Sequence, residues 1–589
     1  MKMHRTVGAV LAGAALLLSA ACSQNLTIPD NNNPDVARVL ATPADVQSLA
    51  ISSLRSWYIG ATTVDPWVML NVTGDLMSMN YGNFGARFNN VEPRIPYNND
   101  QASGDAEVAE DPWNNQYSTI GAADGALGAI ANGAVLPGGT DKYKALAMFS
   151  QAGALMEIAL VYDQGFAVDE TADPTTIKLV PYTDMETFAK SKIDAVIAFT
   201  ASQSETYTQD EFPVSTVTPG PTGASYSGAG PIGGGFSSQV INRLANTWGA
   251  QLLAYSPRTA AQAASVDWNA VLAYTQKGIG SGGGTPFDFA VVGDYNNWWS
   301  DLVSYFARPS WMMVDLKLIH QMAPNVPDSY TGFGIGGATD TTAAGYAALW
   351  APQAPMDARL TSDPISNVVA YQDPHIDSTD FVYAGVVQGT ASRGIYMQSP
   401  YYYTRYHFYS YDAANPQVGP VPYVLAAEND LLEAEALVRT GGDLTLAAQL
   451  VNNTRVNRGH LTPLTATSST STFLQAITYE LEVECNGTDG YGFFALRSMD
   501  QLQAGTLRHL PVPASELQVD GLPVYTFGGV GQPDMNMGAG LQSAAPVSFN
   551  IQNYQHGAFR ALTLPNGTTM NLPSPWAPRK QGASGLRMF

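Results

Sequence analysis

The chain has 589 residues, 45 % of them hydrophobic and 10 % aromatic, which suffices for a large core and excludes an intrinsically disordered polymer. Only 13 % are charged, and Asp plus Glu outnumber Lys plus Arg by 50 to 28, so a formal charge of −22 opposes the phosphate attraction on which nucleic-acid binding depends. Gly (55), Pro (37) and abundant Asn, Ser and Thr call for long ordered loops with uncharged polar surfaces, which suit an extracytoplasmic protein.

Lys2, His4 and Arg5 precede an apolar run over residues 7–18 and the small residues Ser19-Ala20-Ala21, so residues 1–21 read as a secretion signal. The run is too short to span a bilayer. Cys22 follows directly, as at a bacterial lipoprotein cleavage site, where the cysteine becomes the lipid-bearing first residue. Leu18 sits four positions before it, one further than usual. A lipidated Cys22 leaves Cys485 without a thiol to pair, so no disulfide is expected. Past residue 22 no uninterrupted apolar run approaches 18 residues, so lipid alone is expected to hold the mature chain at a membrane.

Residues 22–41 form a polar tether that cannot be helical across Pro29 and Pro34. Thr42-Pro43-Ala44-Asp45 then supplies a cap, a proline at the first helical position and an acid in the first turn, which predicts a helix to about residue 58. Residues 60–111 are loop-rich, with Trp67, Tyr81, Phe84, Phe88 and Tyr97 among asparagines, glycines, Asp75, Arg87 and Arg94. Such a mixture suits a neutral sugar, whose C–H faces stack on rings while its hydroxyls bond to amide, carboxylate and guanidinium groups. Taken singly, each of these aromatics is more often core than platform.

Apolar spacing predicts helices over 113–131, 142–162 and 184–200, then over 242–255 and 259–278. Between them the loop 212–236 is glycine-rich but lacks the Lys-Ser/Thr continuation of a phosphate-binding loop. Residues 285–410 form a second aromatic zone holding Trp298, Trp299, Tyr305, Trp311, Trp350, Tyr396 and Tyr401-Tyr402-Tyr403. Adjacent Trp298 and Trp299 point in different directions, so at most one is expected to be wholly buried. Short Val/Tyr segments such as 381–387 suit small strands. The last clear helix pair is 427–439, stopped by Thr440-Gly441-Gly442, and 444–457, capped by Asp443.

Catalytic motifs are lacking. No His-Glu-x-x-His or Gly-x-Ser-x-Gly occurs, and the seven histidines are scattered. Glu480 and Glu484 share a helix face, but carboxylates one turn apart project in parallel and cannot flank a scissile bond, so a solvated or salt-bridged pair is expected. No cofactor is called for.

The densest signature lies in the last third. Glu428-x-x-Leu431-Leu432-x-Ala434-Glu435-Ala436, then Arg455-Val456-Asn457-Arg458-Gly459, Asp489-Gly490-Tyr491-Gly492-Phe493-Phe494-Ala495-Leu496-Arg497 and Arg508-x-Leu510-Pro511-Val512-Pro513-x-x-Glu516-Leu517 resemble the motifs of the SusD/RagB family of outer-membrane nutrient-binding lipoproteins. Gly492 stands where that family usually has arginine, and Ala495 where it has aspartate.

The resemblance implies a mainly α fold. Tetratricopeptide-like hairpins would form the scaffold, about 42–58, 113–278 and 423–517 within one domain over 42–589, with loop-rich variable regions at about 60–111 and 285–410. It further implies a non-enzymatic lipoprotein, lipid-anchored and surface-facing on the outer membrane, that passes a glycan or peptide to a SusC-like TonB-dependent transporter. The ligand-binding residues expected are Trp298, Trp299 and Tyr81, with Asn83 and Arg87 as polar partners. Two alternatives stand beside it: a secreted glycan hydrolase whose carboxylates converge only in three dimensions, and a non-catalytic helical interaction module.

Overall fold

In the computed structural model, Thr42 caps the first helix as its sequence predicts: its hydroxyl accepts the Asp45 N–H and donates to the Asp45 carboxylate at 2.7 Å. The structure describes residues 42–79, 94–104, 106–173, 175–208, 210–212, 214–217, 236–293, 298, 312–328, 353, 355–360, 380–383, 398–405, 419–488, 490–530, 561–563 and 569–571.

The scaffold helices are α1 (Pro43–Thr62), α2 (Glu107–Ala131), α3 (Thr140–Val161), α4 (Tyr182–Thr200), α5 (Ser238–Tyr255), α6 (Trp268–Thr275), α7 (Ala426–Thr440) and α8 (Leu444–Arg455). They pack as four hairpins, α1 with α2, α3 with α4, α5 with α6 and α7 with α8, and each hairpin leans on the next in chain order. Helices α9 (Thr470–Val483) and α10 (Tyr491–Ser498) close the far end. This is the mainly α, tetratricopeptide-like fold expected from the sequence.

Small residues set the spacing. A Cβ on Gly153 of α3 would lie 2.6 Å from the Trp57 Nε1 of α1 and 2.9 Å from Trp248 of α5, so only glycine lets three helices meet there. Phe149 stacks on Trp248 at 4.2 Å beside it. Helix α3 is long and apolar enough to cross a membrane, but 89 % of its most apolar window is buried among other helices, which makes it the core helix.

Two helix expectations change. Helix α2 begins at Glu107 and runs through the buried Pro112, where the sequence placed a start after that proline. The single helix expected over 259–278 is broken into Ala260–Ala263 and α6, because Asp267 leaves helical geometry and its carboxylate caps α6 by accepting the Ala270 N–H at 3.1 Å. The C-terminal pair behaves as predicted: Gly441 ends α7 in the left-handed region, φ 69°, and Asp443 accepts the N–H groups of Thr445 and Leu446.

Seven short strands flank the two aromatic zones: β1 (Met77–Met79), β2 (Val214–Val217), β3 (Asp288–Gly293), β4 (Met312–Val314), β5 (Phe381–Tyr383), β6 (Tyr401–Tyr403) and β7 (Gly419–Val424). Antiparallel pairing joins β1 to β4 and β5 to β6, while β3 lies between β2 and β7.

Candidate ligand-binding face

Strand β1 pairs with β4 so that Met79 faces Met312. The chain leaves β1 at Met79 into segment 80–93 and enters β4 at Met312 from segment 299–311, so one end of each aromatic segment starts from the same strand edge. The Asp315–Gln398 bridge and the Ser399 N–H to Val314 carbonyl bond, 3.0 Å, set β6 beside β4. Every residue of β1, β4, β5 and β6 is buried, so these strands form a rigid base rather than a contact surface.

The other end of segment 80–93 is also fixed. Arg94, buried with Asp75, donates Nη2 to the Asp75 Oδ1 at 2.6 Å and Nε to the Thr506 Oγ1 at 3.0 Å. Lys317 reaches the second Asp75 oxygen at 3.0 Å. Asp315 caps the helix Leu316–Met322 by accepting the Lys317 N–H at 2.9 Å. Complete burial, with the Asp75 charge nearby, raises its carboxyl well above the usual range. Asp75 and Arg94 had belonged to the polar mixture read as suited to sugar; here they form a buried clamp at the base of the segment. This helix was not among the expected elements, although Asp315 before Leu316, Ile319 and Met322 carries the signal.

The second aromatic zone is tethered likewise. Gly293 at the end of β3 pairs with Gly419 at the start of β7, so segments 294–297 and 406–418 leave from one point. Trp298, only 7 % exposed, packs against Tyr58 of α1 at 5.9 Å and Phe212 at 6.3 Å. Trp298 therefore faces inward. Trp67, Tyr97, Tyr401, Tyr402 and Tyr403 are buried as well, so the described aromatics of both zones are core residues. Trp299, Tyr81, Asn83, Arg87 and the lipidation candidate Cys22 lie outside the described residues.

Glu480 and Glu484 share the Arg359 guanidinium: its Nη1 lies 2.8 Å from Glu480 and 3.1 Å from Glu484, and its Nη2 lies 2.7 Å from Asp357. Arg458 bridges Glu484 and Asp380, Arg405 approaches both, and the Tyr479 hydroxyl donates to Asp357 at 2.7 Å. Burial raises the Glu480 carboxyl against the pull of Arg359. Burial acts on Glu484 too, but Arg458, Arg405 and Arg359 hold it below the usual range. The expected pair is thus salt-bridged and buried, and with each carboxylate engaged by arginine it has no geometry for glycosidic acid–base work. Among the described residues no group of three or more His, Cys, Asp or Glu side chains is arranged to hold a metal ion.

No family model matches the sequence, and no curated protein matches it. Solved structures do. A SusD superfamily protein from Parabacteroides distasonis aligns over 80 % of this chain and 96 % of its own at a TM-score of 0.51 and 12 % identity. A surface glycan-binding protein A from Bacteroides uniformis aligns over 82 % and 99 % at 0.49 and 14 %. The first of these likenesses shows that the chain has the fold of SusD superfamily proteins, in agreement with the motif resemblance.

Proposed function

We propose that this protein is a SusD-like, non-catalytic surface lipoprotein that binds an oligosaccharide or other nutrient and delivers it to a TonB-dependent outer-membrane transporter. The observation that best supports the reading is the Met79–Met312 pairing: it starts segment 80–93, with Tyr81, Asn83 and Arg87, and segment 299–311, with Trp299, from one buried strand edge. Stacking falls to Trp299 and Tyr81, hydrogen bonding to Asn83 and Arg87, and Trp298 anchors the second segment in the core. Cys22 carries the lipid, and binding is salt-insensitive because a neutral sugar needs no ion pair.

Calorimetric titration against panels of neutral glycans and of peptides tests the proposal. Saturable glycan binding without turnover is expected. Binding to peptides alone would remove the sugar version, and hydrolysis of a glycan by the pure protein would replace the proposal with the hydrolase alternative. Recovery of an outer-membrane transporter with the lipidated protein, lost in Cys22→Ser cells, tests the delivery role.

A further inference from the structure

A cavity of about 80 Å³, several times what one water needs, lies in the turn after α10, lined by Arg497, Asp500, Gln503, Thr506 and Arg508 among others. Arg497 is 1 % exposed, yet it has no carboxylate at ion-pair distance among the described residues. Its Nη1 donates to the carbonyls of Leu160 and Arg508 at 2.9 and 2.8 Å and its Nη2 to that of Tyr255 at 2.6 Å, while its Nε–H finds no acceptor. Neutral carbonyls solvate a buried guanidinium but do not cancel its charge.

The surroundings are cationic. Arg258, also buried, donates to the carbonyls of Ser256, Ala159 and Tyr162 and likewise keeps an Nε–H without an acceptor. Burial, then Arg258 and Arg508, depress the Arg497 pKa well below the usual range. His509, buried beside them, is driven far below its ordinary value by burial and by Arg258, Arg497 and Arg508. At the rim, Arg508 pairs with Asp500 at 3.2 Å with both side chains part-exposed, a weak contact that a competing anion can replace. The walls are fixed from outside, because Lys317 donates to Gln503 and Arg94 donates to Thr506.

We infer that this cavity is a binding site for a small oxyanion of the sulfate or phosphate class, held by the Arg508 guanidinium over the buried charge of Arg497. An oxyanion supplies several acceptor oxygens and the countercharge that Arg497 lacks among the described residues. The site uses none of the residues proposed for nutrient binding, so it stands whether or not the nutrient reading holds.

Titration calorimetry of the full chain with sodium sulfate, at constant ionic strength against chloride, tests it. One sulfate per chain is expected, with Arg508→Ala weakening it at least tenfold and Asp500→Asn, which removes the competing carboxylate, strengthening it. Arg508 is part-exposed, so its substitution leaves the core intact. Absence of saturable binding, or equal affinity in the wild type and Arg508→Ala, overturns the inference. Glucose 6-phosphate against inorganic phosphate separates an anion carried on a sugar from a free one: tighter binding of the former assigns the carried form, and equal or weaker binding the free ion.

Discussion

Asp75 and Arg94 close a buried ion pair, 2.6 Å between Oδ1 and Nη2, at the base of a segment that begins at residue 80 and ends at residue 93. Together with the Met79–Met312 pairing it fixes both ends of that segment to the core. Arg94→Met is expected to leave Asp75 with Lys317 as its one cation among the described residues and to lower stability by about 3 kcal/mol, measured by urea denaturation. An unchanged denaturation midpoint would remove the clamp from the account.

The Arg359 cluster makes a sharper energetic prediction. Arg359→Met strips Asp357, Glu480 and Glu484 of their shared cation and is expected to cost roughly 3–5 kcal/mol. Glu480→Gln keeps a hydrogen-bond acceptor for Arg359 and is expected to cost less. Equal losses in the two variants, read by the same denaturation, would contradict the network.

Gly492 departs from the motif it resembles for a packing reason. A Cβ there would lie 2.5 Å from the Leu76 Cδ1, and Leu76 is 1 % exposed. Gly492→Ala should lower stability by about 1–3 kcal/mol, and Leu76→Ala in the same chain should cost less than the sum of the two single changes. Additive losses in a double-mutant cycle would count against this contact.

Buried carboxyls give the protein a pH signature. Burial pushes Glu482 from an ordinary 4.5 up to about 8, against a hydrogen bond from Gln321. Its contribution to stability is complete below about pH 4.5 and is lost as pH rises through 8, because the unfolded chain releases the proton first. Glu516 and Asp124, also raised to about 8, act in the same direction. Thermal midpoints should therefore fall between pH 5 and pH 8, and Glu482→Gln should fall less, by up to about 4 kcal/mol of stability at pH 8. A variant with the same pH slope as the wild type refutes that assignment.

Helix caps and helix faces were legible in the chain because each depends on a few neighbouring residues: Thr42, Asp443 and Gly441 act as their local chemistry dictates. The break at Asp267 was not, since alanines on either side, with Val266 and Leu272, keep helical spacing while one side chain diverts the backbone. Polar residues proved harder still. Asp75 and Arg94 have the composition of a sugar contact and serve as a buried pair, because the difference lies in what packs around them and not in their identity. Trp298 and Trp299 are alike in sequence; only the packing of Trp298 on Tyr58 and Phe212 shows that it is a core residue.

The proposed function rests on aromatic side chains of segments 80–93 and 299–311 binding a neutral glycan. Isothermal titration of the wild type, Trp299→Ala, Tyr81→Ala and Trp298→Ala with whichever neutral oligosaccharide binds tests it most directly. Affinity should fall at least tenfold in the Trp299 and Tyr81 variants with stability unchanged, whereas Trp298→Ala should lose about 3–5 kcal/mol of stability. Full affinity in both the Trp299 and Tyr81 variants would contradict the account.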